Sequence, residues 1–246
     1  MDRNLEWPRC VNARDLGGLN TVDGRQTRWR AVVRSDGLDR LDWEGWSALE
    51  AYGVRTIVDL RNDVEREAGR YSCPLTVLHV PVEDDCDLEF IARWRPLSTP
   101  HYYQAALERW PDRLAAAITA VARAGPGGVV VHCGAGRDRT GLVVLLLLAL
   151  VRVRPEEIAD DYEVSATRLP PLDVERYLAA SSRVNPRTIT ELEEDLAKER
   201  LRRKTLSDRE AILTTVASLD ARAYLAAAGV GKEDLERIEH RLLPGS

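Results

Sequence analysis

The chain has 246 residues, 44% of them hydrophobic and 30% charged, with a formal net charge of −5. That size and balance suit one large soluble domain, or a core with an appendage. They exclude a global basic field for nucleic acid, so attraction of an anionic ligand has to be local.

The first residues, Met1-Asp2-Arg3-Asn4-Leu5-Glu6-Trp7-Pro8, contain no apolar core and do not read as a signal peptide. Residues 7–36 read as short extended pieces joined by turns. Asp15-Leu16-Gly17-Gly18 and Asp23-Gly24 are turn signals, and Ala31-Val32-Val33 is a short apolar run. The spacing of Trp46, Leu49 and Tyr52 predicts a helix over 43–52, stopped by Gly53. Arg55-Thr56-Ile57-Val58-Asp59-Leu60 predicts a buried strand, and 76–82 a second. Residues 101–124 are helical, with a break near Pro111. A third strand over 127–132 is centred on Val129-Val130-Val131, and an apolar helix over 139–152 follows it. The apolar run 142–151 is about ten residues long, and a bilayer needs roughly twenty, so it predicts a buried helix and no membrane insertion.

Beyond Pro155 only helices are expected, over 156–169, 174–180, 190–204, 208–219, 221–228 and 232–243. The stretch 191–210 is rich in both charge signs. Its plain reading is a solvated helix face, and its sharper reading is a lid. The expectation is an α/β fold with a central, mainly parallel sheet flanked by helices and an all-helical C-terminal extension. We take 1–246 as a single domain, with 1–152 as the α/β core and 153–246 as the extension. Cys10, Cys73, Cys86 and Cys133 are scattered with no C-x-x-C pair, which suits a reducing compartment and no zinc cluster. A cytoplasmic location is expected, with signal-independent export as the alternative. His79, His101 and His240 lack ligand spacing, so neither a metal nor a cofactor is expected.

The chemistry is concentrated in one loop. His132-Cys133-Gly134-Ala135-Gly136-Arg137-Asp138-Arg139-Thr140-Gly141 lies between the apolar strand and the apolar helix. Ligands of parallel sheets bind at the carboxyl ends of strands. A C-x5-R spacing lets the loop curl so that its N–H groups converge on one centre. Gly134 and Gly136 relax the backbone there, and the helix start adds free N–H groups and a positive dipole end. The product is a cup for a tetrahedral oxyanion. Within it, Cys133 is a candidate nucleophile whose thiolate the cup and Arg139 favour. Arg139 offers a planar fork for two phosphoryl oxygens. Thr140 offers its hydroxyl to the sulfur, and the His132 ring is placed to tie the loop to neighbouring backbone. A C-x5-R-[ST] match alone is weak, and the added His132, Gly136 and Gly141 make it specific. The bland alternative is a core cysteine ending a strand, with Arg139 in solvent.

The loop resembles the signature of protein tyrosine phosphatases. Its Asp138-Arg139-Thr140 ending resembles the bacterial atypical tyrosine/serine phosphatase family. Asn12-Ala13-Arg14-Asp15-Leu16-Gly17-Gly18 matches that family's N-terminal motif. Arg34-Ser35, Asp59-Leu60-Arg61 with Glu65, Asp161-Tyr162-Glu163 and the C-terminal segment also match, so the likeness covers nearly the whole chain. The resemblance implies a protein tyrosine phosphatase-like fold, Cys133 as nucleophile and Arg139 as phosphate-binding residue. It also implies a phosphorylated protein or phosphoinositide as substrate, with Gly134, Ala135, Gly136, Arg137, Asp138 and Arg139 around the phosphate. Several lipid-active members carry Lys where this chain has Arg137. The resemblance further points to Asp138 as general acid, with Asp84, Asp85 and Asp87 as rivals.

Supporting roles are open to two readings. Asp59 and Arg61 form either a sheet-edge ion pair or an ordering element for the loop. Asn12, Arg14 and Asp15 stabilise either a turn or the loop. Arg34 either lends charge to the site or is exposed. Trp94, Tyr102, Tyr103 and Trp110 read as core, with a substrate wall as the alternative. The competing activities are a phosphoinositide phosphatase, a rhodanese-like sulfurtransferase and a non-catalytic phosphate-binding module. Oligomeric state is not legible.

Overall fold

Val129, Val130 and Val131 are β-branched and fully buried, and they form the middle of the central strand. The computed structural model describes residues 1–69, 71–87, 89–90, 94, 100–169, 194, 197 and 206–245. Five strands, β1 (Arg14–Asp15), β2 (Val32–Ser35), β3 (Val54–Asp59), β4 (Thr76–His79) and β5 (Gly128–His132), form one sheet in the order β1-β2-β5-β3-β4. All pairs are parallel except β1 with β2 at the edge. Period-two alternation divides β5 between two cores. Val129 and Val131 face one apolar cluster, and Val130 faces the other with Trp7, Val33, Leu49 and Ile57.

The helices among the described residues are α1 (Trp43–Tyr52), α2 (Asp63–Ala68), α3 (Tyr103–Arg109), α4 (Pro111–Arg123), α5 (Asp138–Leu150), α6 (Pro155–Arg168), α7 (Asp208–Ser218), α8 (Ala221–Ala227) and α9 (Lys232–Leu242). Most lie within two residues of their predicted bounds, because local signals end them. Asp42 caps α1, and Gly53 closes it in the left-handed region at φ 106°. Pro111 separates α3 from α4 and occupies the first turn of α4, while residues 100–102 form a 3₁₀ turn. Helix α2 falls outside the sequence expectation, although Asn62 and Glu65 make a reciprocal capping box at its start. The strand predicted over 76–82 stops at His79. The Val80 N–H donates to Asp59 O, and Pro81 has no N–H to continue the ladder.

Helix α5 is buried on nearly every side, as its uniform hydrophobicity implies. Among the described residues no helix is long and apolar enough to cross a membrane. Leu225, Leu235, Ile238 and Leu242 of the C-terminal segment join the same apolar cluster as α5 and Val131. Arg241 donates to the carbonyls of Ala124, Gly125 and Gly127 and ties α9 to the approach of β5. The helices expected over 174–180 and 190–204, and with them most of the lid candidate 191–210, lie outside the described residues.

Register positions the site. Ser35 is opposite His132, His132 opposite Asp59, and Asp59 opposite His79. All four parallel strands therefore end on one line, and the loop 133–137 leaves that edge at its centre.

Candidate active site

Cys133 is 2% exposed at the end of β5, and the loop runs from it directly into the first turn of α5. Five consecutive carbonyls of this loop are held from outside. Cys133 O accepts from His132 Nδ1 (3.1 Å), and Gly134 O from the Gly37 N–H (2.9 Å). Ala135 O accepts from Asn12 Nδ2 (3.0 Å), and Gly136 O from Asn12 Nδ2 (3.2 Å) and Arg34 Nη2 (2.8 Å). Arg137 O accepts from the Gly141 N–H (2.8 Å) and Arg34 Nη2 (3.3 Å). A planar trans peptide sets its N–H opposite its C=O. Carbonyls turned outward therefore turn the N–H groups of residues 134–138 inward. Gly136 makes the curl possible. Its φ is +66°, and a Cβ there would lie 2.3 Å from Ser35 O.

His132 is fully buried, and burial lowers its pKa, which keeps the ring neutral. A carbonyl only accepts, so Nδ1 carries the hydrogen and Nε2 accepts from the Tyr71 hydroxyl at 2.9 Å. Asp59 accepts two hydrogen bonds from the Arg61 guanidinium (3.0 and 2.8 Å) and one from the Arg61 N–H (3.1 Å), and reaches His132 Nε2 at 3.6 Å. The pair is an ion pair at the sheet edge, and its carboxylate lies beside the histidine that bonds the Cys133 carbonyl. Asn12 touches the loop directly, and Arg14 Nη1 donates to Asn12 Oδ1 at 2.6 Å. Asp15 is the turn-former of the three. It accepts from the N–H groups of Gly17 and Arg30 and from the Tyr52 hydroxyl. Arg34 is 1% exposed, which removes its surface reading.

Arg139 closes the loop. Its Nη1 and Nη2 both donate to the Glu65 carboxylate, the Nη2 bond being 2.8 Å, and its Nε lies 3.6 Å from Glu83 Oε2. The fork expected to hold phosphoryl oxygens thus rests on two carboxylates. Glu65 is set by its capping box, with its N–H on Asn62 Oδ1 (2.7 Å) and its Oε2 accepting from the Asn62 N–H (3.2 Å). The Thr140 hydroxyl is buried and has no hydrogen-bond partner, the Cys133 sulfur included, among the described residues.

Asp138 opens α5. Burial raises its pKa against the opposing pull of Arg137, whose Nε lies 3.2 Å away, and of the Tyr162 hydroxyl at 3.1 Å. Tyr103 donates to its main-chain carbonyl at 2.8 Å. The rival carboxylates are engaged elsewhere. Asp84 pairs with Arg113 (3.1 Å), Asp85 accepts from Asn62 (2.7 Å), and hydrogen bonding from Arg109 holds Asp87 low. Asp84 and Asp87 border an open groove of about 670 Å³ lined also by Cys86, Arg109, Trp110 and Arg113, with no residue of the Cys133 loop in it. Tyr102, Tyr103 and Trp110 are buried, and Trp94 packs against the same core, so these aromatics follow the core reading. Among the described residues no group of three or more His, Cys, Asp or Glu is placed to hold a metal ion.

Sequence reasoning missed Glu83 and Tyr71 as site neighbours and noticed Glu65 and Tyr162 only through the family motifs. The Asn62-x-x-Glu65 box was a readable signal for Glu65. No local signal points to the others.

A family model described as the tyrosine phosphatase family matches residues 5–244. A relative named triple specificity protein phosphatase PtpB, from Mycobacterium tuberculosis, is 28% identical over 97% of this chain and 98% of its own. A relative named tyrosine-protein phosphatase, from Nostoc commune, is 27% identical over 86% of this chain and 74% of its own. A Cupriavidus necator chain assigned as a tyrosine-protein phosphatase is 31% identical over 174 residues, 67% of this chain and 64% of that one. This chain belongs to the tyrosine phosphatase family.

Proposed function

We propose that this chain hydrolyses phosphomonoesters, with protein phosphotyrosine as the main substrate, through a phosphocysteine at Cys133. The observation that carries the reading is the loop of outward carbonyls, whose inward N–H groups surround the space beside the cysteine. The Cys133 thiolate attacks phosphorus in line, and the S–P bond forms as the P–O bond to the tyrosyl oxygen breaks. The loop N–H groups and Arg139 stabilise the charge spread over the equatorial oxygens. To bind them, the Arg139 fork shares or exchanges its contact with Glu65. Asp138 protonates the leaving oxygen, then accepts a proton from the water that cleaves the S–P bond and releases phosphate. Its burial-raised pKa and the engagement of Asp84, Asp85 and Asp87 in other contacts support that role. The buried Thr140 hydroxyl, lacking another partner among the described residues, is available to the departing sulfur.

Two features bear on specificity. The name of the Mycobacterium tuberculosis relative supports an extension to phosphoserine and phosphothreonine. Arg137 is paired with Asp138, which makes it a weaker headgroup ligand than a free cation and places phosphoinositides second. Arg139 at the sixth position after Cys133 favours phosphate over sulfur transfer. The shared apolar core supports reading 1–246 as one domain. The experiment is a parallel assay of phosphotyrosine, phosphoserine and phosphothreonine peptides and phosphoinositide vesicles, with Cys133→Ser as control. Phosphotyrosine turnover well above the rest, lost in the variant, is expected. Preferential turnover of phosphoinositides overturns the substrate assignment. Asp138→Asn should slow alkyl phosphates far more than an activated aryl phosphate, and equal losses on both exclude Asp138 as the acid.

A further inference from the structure

We propose that Asp161, far from Cys133 in sequence, is a positioning residue of the phosphate loop, acting through Arg34, Arg14 and Asn12. This rests on the loop being the phosphate cup described above.

Arg14 and Arg34 are directly opposite each other across β1 and β2, and both side chains are 1% exposed. Two like charges facing each other inside a protein repel and lose hydration. Asp161, projecting from α6 and equally buried, resolves the conflict. Arg14 Nε donates to its Oδ1 at 3.0 Å, Arg34 Nη1 donates to its Oδ2, and Arg3 donates to it from the rim. Three guanidiniums on one carboxylate leave the cluster net positive. Such a cluster is a poor way to stabilise a core, where an apolar trio serves as well.

Arg34 Nη2 and Arg14 Nη1 run toward the loop. Arg34 sends Nη2 to Gly136 O and Arg137 O, and its buried Nε has no partner among the described residues. Arg14 Nη1 donates to Asn12 Oδ1. That bond fixes which end of the amide faces which way. The oxygen must face Arg14, so the NH₂ must face Ala135 O and Gly136 O. Arg14 is itself fixed by Asp161 O (2.6 Å) and Ser165 Oγ (2.9 Å), both on α6. Asp161 thus sets the aim of two side chains that hold three consecutive loop carbonyls outward. The helix after the α/β core becomes part of the loop's support.

The loop N–H groups grip the transition state more tightly than the ground state, so misaiming them lowers kcat more than it raises KM. The test compares Arg34→Lys, Asp161→Asn and, as control, Arg3→Gln, which touches Asp161 but not the loop. The readouts are kcat and KM for an aryl phosphate, the inhibition constant of orthovanadate, and Tm. The inhibition constant belongs to the folded enzyme and does not respond to a reduced folded fraction. Losing one charge-assisted hydrogen bond predicts vanadate binding weaker by roughly tenfold to a hundredfold in Arg34→Lys and Asp161→Asn, with kcat falling in parallel. In Arg3→Gln the inhibition constant is unchanged, whatever happens to Tm. Parental vanadate binding in both loop-directed variants, with activity tracking only the folded fraction, overturns the proposal. If Asp161→Asn does not fold, Arg34→Lys decides. Cys133→Ser is run alongside: retained turnover there sinks the cysteine mechanism itself, and its loss leaves the Asp161 test standing alone.

Discussion

Gly134 and Gly136 look alike in the sequence, yet they predict opposite outcomes on substitution by alanine. At Gly136 the backbone is left-handed (φ +66°), and an added Cβ would lie 2.3 Å from Ser35 O and 2.6 Å from Asp36 N, both backbone atoms at the end of β2. No side chain can rotate away to make room. The left-handed conformation alone costs an L-residue about 1–2 kcal/mol, and the contact adds to it unless the loop moves. At Gly134 the nearest atoms are Arg139 Nη2 at 3.7 Å and Glu65 Oε1 at 3.8 Å, ordinary contacts with flexible side chains, and the φ is not left-handed. Gly136→Ala should therefore lower Tm by roughly 3–8 °C for a chain of this size. It should also cut kcat on an aryl phosphate by about 10²-fold, because a displacement of about 1 Å at a reacting centre costs that much. Gly134→Ala should leave Tm nearly unchanged and keep most of the activity. Differential scanning calorimetry and steady-state kinetics on the pair decide the matter. Equal effects at the two positions, or a fully active Gly136→Ala, would refute the outward-carbonyl geometry.

Other residues of the site give sharper tests of its electrostatics. Glu65→Gln removes a negative charge that holds Arg139 and repels an incoming dianion. Inorganic phosphate should then inhibit about tenfold more tightly, while kcat falls because Arg139 loses its guide. Asp138 acts as an acid only while protonated, and burial raises its pKa. Turnover of an alkyl phosphate should therefore decline as pH rises through a limb above the ordinary carboxylate value of about 3.9, and Asp138→Asn should abolish that limb. Burial opposes ionisation of Asp161, but Arg14, Arg34 and Arg3 outweigh it and hold its pKa far below the unfolded value. Its contribution to stability is thus present above about pH 4 and fades as pH falls below it. Urea titration of Asp161→Asn should show a deficit of about 3–5 kcal/mol at pH 7, shrinking in acid.

The parts legible in the sequence were those set by local chemistry. The run Val129-Val130-Val131 leading into Cys133, the glycines of the loop and the all-round apolar helix α5 placed the centre of the site. Helix α1 was bounded by its own cap and its glycine. What escaped was set by long-range partnership. Arg34 in a short apolar run carries no mark of its burial, because its counter-ion Asp161 is 127 residues away. Asp161 lies on the buried face of α6 with Ile158, Tyr162 and Ser165, and what its charge meets there, two arginines from the sheet, is not written in its neighbours. Glu65 was recoverable in principle, since Asn62 three residues earlier makes a capping box. Helix α2 is only six residues long and has no apolar stripe to announce it. The end of β4 at His79 depended on where Pro81 met the sheet edge, which the apolar pattern of 76–82 does not reveal.

The central claim is that phosphate passes through Cys133. It is tested most directly by acid-quenching the enzyme during turnover of a ³²P-labelled phosphotyrosine peptide and mapping the labelled fragment. Label is expected on the fragment containing Cys133, with none in Cys133→Ser and no turnover by that variant. Label on another residue, or sustained turnover by Cys133→Ser, would contradict it.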